Sequence, residues 1–302
     1  MSIGDVSEVT FDGAGDLYCL DAGLYDTPAY GAVYIFDTPR PTVIETSTGR
    51  NHELLLDALD ELGIRRTDLR NIVLTHIHLD HAGGAGFLAA DCPNAEVHVH
   101  EIGAPFVAEP EQLVDGVKRA IGDLWDFHVE PVPIPSDRIT PLSDGDSIEL
   151  GGRALDVIHV PGHATHQIAV YDEQSNALFT ADEAGMWLPE HELLTVTTPP
   201  TTFDLERNLE NLDRLDSVVP ETLLYTHFGS RSTGSTLDAY GKLLTEWVAD
   251  IEAKREVLDD SAVIEHFVST ADLSSALGEP AGTEPTRMFV RGVMQYLDRD
   301  DR

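Results

Sequence analysis

Basic residues are scarce in this sequence of 302 residues, which has 19 Lys and Arg against 54 Asp and Glu. Lysine occurs only at Lys118, Lys242 and Lys254. The formal net charge of −35 argues against a nucleic-acid-binding protein, which needs a basic surface. The acids are spread along the chain, which disfavours one docking patch for a cationic partner. Because salt screens such self-repulsion, the composition predicts a halophilic protein, similar to those of salt-accumulating archaea.

Cysteine is also scarce, and long hydrophobic runs are missing. Cys19 and Cys92 have no paired spacing, so we expect two reduced thiols rather than a disulfide framework or a thiolate zinc site. No apolar run reaches the length of about 18 residues that a membrane span needs. Residues 1–6 lack the basic start and the apolar core of a secretory signal. These absences predict a cytoplasmic protein with no membrane partner.

The densest group of potential metal ligands lies between His76 and His81, where three imidazoles and one carboxylate occur within six residues. Imidazole binds zinc and related divalent metals, and carboxylate is a good bridging or terminal donor. The apolar residues 71–74 before the group are typical of a buried strand, and Gly83 and Gly84 after it break regular structure. We therefore expect the ligands on a loop at a strand end, where a rigid sheet directs them to one point.

This group resembles the His-x-His-x-Asp-His motif of the metallo-β-lactamase superfamily, and three later segments resemble the remaining motifs of that family. They are, in chain order, residues 160–163 (Val-Pro-Gly-His), 178–182 (Leu-Phe-Thr-Ala-Asp) and 223–229 (Leu-Leu-Tyr-Thr-His-Phe-Gly). The similarity covers about residues 15 to 231. Each segment alone is a weak match, but four matches in the family's order make a specific pattern.

The resemblance implies a centre for two divalent metal ions. One ion would have three histidines, the other would have an aspartate and two histidines, and one aspartate would bridge them: His76, His78 and His163; Asp80, His81 and His227; Asp182. A hydroxide held between the ions would attack the substrate, and Asp80 would orient it or carry a proton to the leaving group. Zinc is the expected metal, although iron or manganese also suits these donors.

His166, Glu183 and Glu45 lie near the motifs but are not assigned as ligands. His166 is either a partner of the ligands, a contact of the substrate, or an ordinary packed or surface histidine. Glu183 is expected to be a solvated acid. Many family members carry Asp-Thr-Gly after an early strand, and the Asp supports the site there. This chain has Glu45-Thr46-Ser47 instead, so the geometry behind the ligands is expected to differ slightly.

The resemblance implies an α+β fold, the αββα sandwich, with a helical extension at the carboxyl end. We place the sandwich domain at residues 1–231, with a helical insertion at about 102–127 that would wall the cleft, and the extension at residues 232–302. Such extensions in the family line the pocket or build dimer contacts, so a homodimer stays an open alternative. In the first domain, Asn51 is expected to cap a helix over residues 52–62.

These expectations favour a binuclear metal-dependent hydrolase of a small-molecule ester, lactone or thioester, similar to the glyoxalase II and lactonase branches of the superfamily. A phosphodiesterase or nuclease of the same superfamily is one alternative, but the chain lacks an obvious basic, Gly-rich arm for gripping RNA. A persulfide dioxygenase-like oxidoreductase with one iron is another, because such enzymes keep a similar ligand set. A non-catalytic binding protein is disfavoured, because none of the seven ligands is lost.

Overall fold

Residues 1–299 are described by this computed structural model. The strands are β1 Val6–Glu8, β2 Leu17–Asp21, β3 Ala32–Phe36, β4 Thr42–Ile44, β5 Asn71–Val73, β6 Glu96–His100, β7 Ile139–Leu142, β8 Ser147–Glu149, β9 Ala154–His159, β10 Ile168–Asp172, β11 Ala177–Ala181, β12 Met186–Leu188, β13 Leu193–Thr195, β14 Thr222–Tyr225 and β15 Ser230–Ser232. The helices are α1 His52–Glu61, α2 Leu79–Ala82, α3 Ala85–Asp91, α4 Ala104–Ala108, α5 Glu111–Ile121, α6 Leu205–Ser217, α7 Thr236–Arg255, α8 Asp260–Thr270, α9 Asp272–Leu277 and α10 Thr283–Leu297. Short 3₁₀ helices occupy Leu24–Asp26, Gly122–Phe127, Ser136–Arg138 and Pro189–His191.

Two large sheets form the centre of the described part of the chain. Strands β1 to β7 pair in sequence order, antiparallel from β1 to β4 and parallel from β4 to β7. The second sheet has the order β15-β14-β11-β10-β9-β8 and is antiparallel except for the parallel pair β11–β14. Strands β12 and β13 form a separate antiparallel pair. The parallel half of the first sheet therefore runs from the central β4 to the edge strand β7, and within it β5 leads into the predicted ligand group.

The two sheets pack face to face with helices outside. Between them, Tyr34 and Phe36 of the first sheet pack edge-on against Phe179 of the second, with ring centroids 5.2 and 5.8 Å apart. The outer face of the first sheet packs on α1 and α3, and that of the second packs on α6, α7, α8 and α10. The predicted α+β fold, an αββα sandwich with helices at the carboxyl end, is thus confirmed.

Helix α1 shows how the sequence pattern produces this packing. Leu55, Ala58 and Leu59 are spaced three and four residues apart and are buried on the first sheet. The helix ends before Gly63, whose φ of +73° suits glycine. The predicted cap was wrong, because the Asn51 side chain makes no capping bond and instead donates to the Ala22 carbonyl at 3.2 Å. Asn51 thus links the start of α1 to the loop after β2, which contains Ala22.

Helices occupy both of the segments for which the sequence predicts them outside the sandwich. Helices α4 and α5 and the 3₁₀ helix Gly122–Phe127 lie within residues 102–127, and α7 to α10 follow β15. Helix α10 contacts α5, so the end of the chain reaches the insertion. Residues 300–302 of the predicted extension lie outside the described residues, and the division at residue 231 stays a prediction. Within residues 1–299, no helix combines the length and the apolar character needed to cross a membrane.

Candidate metal centre

The seven predicted ligands all lie where strands end. His76 and His78 are on the loop after β5, and His163 is on the loop after β9. Asp182 and His227 follow β11 and β14, which are parallel neighbours, so both residues emerge at the same edge of the second sheet. The remaining two ligands, Asp80 and His81, lie in α2 rather than on the expected loop, because one helical turn forms directly after His78.

The structure brings all seven side chains together. Their donor atoms form three overlapping groups, each within 4.8 Å: His76, His78 and His163; His76, His81 and Asp182; Asp80, His81 and His227. The Oδ1 atom of Asp182 is 3.5 Å from His81 Nε2 and 3.4 Å from His227 Nε2, and its Oδ2 atom is 3.5 Å from His163 Nε2. Asp182 therefore lies between the two predicted ligand sets, as a bridging carboxylate must.

The spacing of these donor atoms suits a divalent cation. Ligands around a tetrahedral zinc with bonds of about 2.0–2.1 Å lie about 3.3–3.4 Å apart. His78 Nδ1 and His163 Nε2 are 3.1 Å apart, and His81 Nε2 and Asp80 Oδ2 are 3.6 Å apart. The Asp80 side chain is 23% exposed, so its carboxylate also reaches solvent. The observed spacings bracket the value for zinc.

Unpaired buried atoms at the centre give an independent test of the fit. Within residues 1–299, His76 Nε2, His81 Nε2 and Asp182 Oδ1 are buried and have no hydrogen-bond partner. A buried polar group left unpaired costs about 1–3 kcal/mol. Metal ions coordinated at this point would satisfy these atoms together, so the residues present fit the implied group.

Glu45 supports the donors from behind. Thr75 Oγ1 donates a hydrogen bond to Glu45 Oε1, and Glu45 Oε2 lies 3.7 Å from His81 Nδ1. Next to it, Thr46 Oγ1 donates to the His81 carbonyl at 2.8 Å. A carboxylate that receives the outer N–H of a ligating histidine fixes the orientation of the ring. The Glu in place of the family's Asp thus keeps a carboxylate behind the site.

Glu183 is fully buried, so the expectation of a solvated acid was wrong. Its carboxylate accepts hydrogen bonds from the His163 backbone N–H at 3.1 Å, from Gln167 Nε2 at 2.7 Å and from Asn211 Nδ2 at 2.8 Å. Burial raises the pKa of Glu183 to about 8 despite these bonds. Gln167 Oε1 also accepts from the Asp182 N–H at 3.3 Å. Glu183 therefore connects the segments that carry His163 and Asp182. In the sequence, the position of Glu183 next to Asp182 was the only signal of this role.

His163 and His166 differ in what they contact. His163 Nδ1 lies 3.2 Å from the Thr197 carbonyl oxygen. Because this oxygen accepts the Nδ1 proton, the Nε2 atom of His163 carries none and can coordinate a metal ion. Thr197 Oγ1 also donates to the Asp182 carbonyl at 2.7 Å. His166 is buried, its ring stacks near His76 with centroids 6.2 Å apart, and its Nδ1 accepts a hydrogen bond from the Ile77 N–H at 3.5 Å. These contacts match a packed histidine that is also a partner of the ligand loop.

The electrostatics of the cluster prepare the ligands for cations. Burial lowers the pKa of His163 to about 3 and that of His76 well below its usual value, so both imidazoles are neutral. Burial alone would raise the pKa of Asp182, but neighbouring imidazoles hold it well below its ordinary value. Burial alone would lower the pKa of His81, but the carboxylates of Asp182, Asp80 and Glu45 raise it well above the usual value. The surroundings of His81 thus favour positive charge.

A cavity of about 280 Å³ opens above the ligands. Five ligands reach it: His78, Asp80, His163, Asp182 and His227. One wall is the inner side of α5, the opposite wall comes from the first two turns of α10, and Tyr25 and Tyr30 stand beside them. The structure therefore places both the insertion and the last helix at the substrate side of the centre.

Comparison with known proteins agrees with the motifs. A family model described as the metallo-beta-lactamase superfamily matches residues 27–227. The chain is 26% identical over 246 residues to the metallo-beta-lactamase fold-containing protein ST1585 of Sulfurisphaera tokodaii, covering 80% of this chain and 86% of the relative. It is 29% identical over 177 residues to the hydroxyacylglutathione hydrolase of Bdellovibrio bacteriovorus, covering 58% of this chain and 55% of that protein. It is also 34% identical over 134 residues to the acyl-coenzyme A thioesterase MBLAC2 of Gallus gallus, covering 39% and 44%. The chain thus spans about half or less of the two relatives that are named as enzymes.

Solved structures show the same fold. The crystal structure of ST1585 from Sulfolobus tokodaii matches with a TM-score of 0.69 and 24% identity, covering 92% of this chain and 98% of that one. The metallo-beta-lactamase family protein TTHA1429 of Thermus thermophilus matches with a TM-score of 0.63 and 24% identity, covering 93% of each chain. The family model spans well over half of the sequence, and the chain belongs to the metallo-beta-lactamase superfamily.

Proposed function

We propose that this protein, a metal-dependent hydrolase, holds two divalent cations and cleaves a carboxylic ester, lactone or thioester. The observation that carries the proposal is the convergence of seven donors, several of them buried and unpaired, at the floor of one cavity. Zinc is the proposed metal, because the donors are nitrogen and oxygen atoms at spacings that suit four-coordinate zinc.

The proposed roles divide the donors into two sets. His76, His78 and His163 hold one cation, and His81, His227 and Asp80 hold the second. Asp182 faces both sets through its two oxygens. When bound, divalent cations lower the pKa of water from about 15.7 to roughly 7 and polarise an attacked carbonyl.

The protein's own groups provide positioning and proton transfer. The Glu45 carboxylate lies 3.7 Å from His81 Nδ1, where it favours one orientation of the ring, and Thr197 fixes the tautomer of His163. The partly exposed carboxylate of Asp80 faces the cavity, where it accepts a proton during attack and returns it to the departing oxygen or sulfur. No Ser or Cys nucleophile is required, since attack by water completes the cleavage.

The relatives support an acyl substrate. The hydroxyacylglutathione hydrolase and the acyl-coenzyme A thioesterase are both named for cleaving thioesters, as is an atrochrysone carboxyl ACP thioesterase of Pseudocercospora fijiensis, which is 25% identical over 142 residues. A thioester, an ester and a lactone present the same acyl carbonyl to the centre. We therefore propose carbonyl cleavage rather than phosphodiester cleavage.

One experiment tests metal and substrate class together. The protein is purified in high salt, its metals are measured by elemental analysis, and ester, thioester, lactone and phosphodiester substrates are assayed. We expect two metal ions per chain and turnover of acyl substrates. Cleavage of the phosphodiester alone would assign the chain to the nuclease alternative. One iron per chain with oxygen uptake would assign it to the persulfide dioxygenase-like oxidoreductases.

A further inference from the structure

We propose that the cavity above the ligands binds the acyl part of the substrate as an uncharged, apolar chain or ring of about eight carbons. This assignment rests on the proposed hydrolase function and narrows its substrate class. Substrates whose acyl group is polar or charged are then poor ligands. The shape, chemistry and rigidity of the cavity each support the assignment.

The walls of the cavity are apolar. Leu113, Val117 and Ile121 project from α5, and Met288 and Phe289 project from α10 on the other side. Their spacing along α5, four residues each time, places one continuous apolar stripe against the cavity. Such surface attracts hydrocarbon because burying each methylene group contributes about 0.8 kcal/mol.

The walls of the cavity offer no basic side chain to an anionic acyl group. Among the described residues that line it, none is Lys or Arg. On the wall helix, Lys118 is 3.2 Å from Glu130 and lies over the Trp125 ring. With a net charge of −35, the protein offers no compensating field for a polyanion.

The volume sets the length of the acyl group. A cavity of about 280 Å³ accommodates roughly nine groups of about 30 Å³ each, the volume of one water molecule in the liquid. Because the ligands form its floor, the reacting carbonyl lies at that end and the hydrocarbon extends between α5 and α10. The leaving group then points towards solvent.

The aromatic side of the cavity is fixed by a buried carboxylate. Asp21 is fully buried and accepts hydrogen bonds from the N–H groups of Gly23 at 3.0 Å and Ala29 at 2.7 Å. These bonds close the loop that carries Tyr25 and Tyr30, whose rings meet edge to face with centroids 5.9 Å apart. Tyr25 adopts a φ of +53°, which a side chain adopts only where its surroundings hold it. The wall is therefore built before a ligand arrives.

Gly116 provides a direct test, because it lines the cavity and a Cβ atom added there meets no other atom within 4 Å. The variant Gly116→Leu fills the cavity and improves helix propensity, so it is expected to fold. Its matched control is Arg119→Leu, which adds leucine to the same helix at an exposed position outside the cavity. Thermal unfolding by circular dichroism checks that both variants keep the fold.

Binding is measured calorimetrically with 1-alkanols from butanol to decanol on the metal-loaded protein in high salt. These probes are uncharged and cannot be hydrolysed, so the result does not depend on turnover. We expect affinity to rise about fourfold per methylene and to level off near eight carbons. Gly116→Leu should weaken octanol binding at least tenfold, and Arg119→Leu should change it less than twofold.

Affinity that does not depend on chain length overturns the assignment, and so does equal octanol affinity in Gly116→Leu and Arg119→Leu. A parallel assay compares p-nitrophenyl octanoate with the acetate, and we expect kcat/KM to be at least tenfold higher for the octanoate. Octanol binding without cleavage of any acyl substrate would refute the proposed hydrolase but keep the cavity assignment. Cleavage of acetate and octanoate at equal rates would refute the cavity assignment alone.

Discussion

Two groups of buried charge in this protein are built in opposite ways. At the candidate metal centre, His76 Nε2, His81 Nε2 and Asp182 Oδ1 are buried without hydrogen-bond partners in the described residues. Between the sheets at the other side of the sandwich, Arg153 and Asp172 are also buried, but the pair is surrounded by partners. Both groups cost desolvation energy, and only the second recovers it within the protein.

The contacts of the Arg153–Asp172 pair show how that recovery occurs. Arg153 Nε donates to Asp172 Oδ1 at 3.0 Å, and its Nη2 donates to Oδ2. The same carboxylate accepts from Ser175 Oγ, and Arg153 Nη1 donates to the Ala14 carbonyl at 3.2 Å. The guanidinium also lies over the Phe36 ring, 4.8 Å from its centroid. Saturated buried charge indicates a structural role, whereas unsaturated buried charge indicates a ligand still to be bound.

Removing a donor should separate function from stability most strongly. We expect His78→Ala to abolish turnover and to reduce the metal content measured by elemental analysis. The free energy of unfolding of the metal-free protein should change little, because this side chain lies among groups that repel or lack partners. His191→Ala, at an exposed histidine outside the cluster, is the control and should keep full activity. An unchanged rate in His78→Ala would remove this residue from the site.

Breaking the saturated pair should have the opposite effect. Arg153→Ala leaves Asp172 buried and uncompensated, so we expect a loss of about 3–5 kcal/mol in the free energy of unfolding, measured with urea in high salt. The kcat of the folded fraction should stay near that of the parent. Arg65→Ala breaks an exposed pair with Asp68 and should leave stability unresolved from the parent. Equal losses in the two variants would contradict the distinction between the groups.

His98 lies between these extremes, because one ring nitrogen is paired and the other is not. Its Nε2 is 3.0 Å from Asn71 Oδ1, while Nδ1 is buried without a partner in the described residues. Burial, with Arg40 adding to it, lowers the pKa of His98 to about 4, and Glu96 opposes this only in part. The unfolded chain therefore takes up the proton first as pH falls.

The resulting stability is complete above the ordinary histidine pKa of about 6.5 and is lost as pH falls towards 4. The total loss from this residue is about 3 kcal/mol. We expect His98→Gln to flatten the dependence of unfolding free energy on pH in this range, measured on metal-free protein. The metal ligands titrate equally in parent and variant, so they cancel in the difference. Parallel pH curves for the two proteins would refute the prediction.

A carboxylate behind the donors should matter less than a donor itself. Glu45→Gln keeps the size of the side chain but removes the charge near His81 Nδ1, so we expect metal affinity to fall by about 10–100-fold. Competition with a chelator of known affinity measures this change without an assay of activity. Glu53→Gln, at an exposed position of α1, is the matched control. Rescue by Glu45→Asp, which restores the carboxylate, would distinguish charge from packing.

The sequence predicted the donor side of this comparison well. His76 to His81 share a short local motif behind residues 71–74, whose predicted strand is observed as Asn71–Val73, and the later ligands follow β9, β11 and β14. Strand β7 contains Pro141, which is tolerated there because β7 is at the edge of its sheet.

The sequence failed where burial depends on distant partners. Glu183 is buried because Gln167 and Asn211, which lie on other elements, converge on its carboxylate. No local pattern reports such a contact. For the same reason, the sequence predicted a helical insertion without revealing that α5 faces α10 across the cavity. Short motifs identify functional residues that are close in sequence, whereas tertiary packing determines which distant residues come into contact.

Surface charge should produce the smallest effect and should act on both buried groups alike. We propose that the net charge of −35 is an adaptation to salt, so the melting temperature should rise by several degrees between about 0.1 M and about 3 M KCl. The salt in this experiment should be a chloride, because sulfate by itself strengthens hydrophobic burial. Salt screens exposed charges far more than buried ones, so the deficit in melting temperature of Arg153→Ala relative to the parent should persist in high salt. A melting temperature that falls with KCl would refute the adaptation, and a deficit that disappears would show that solvent reaches the Arg153–Asp172 pair.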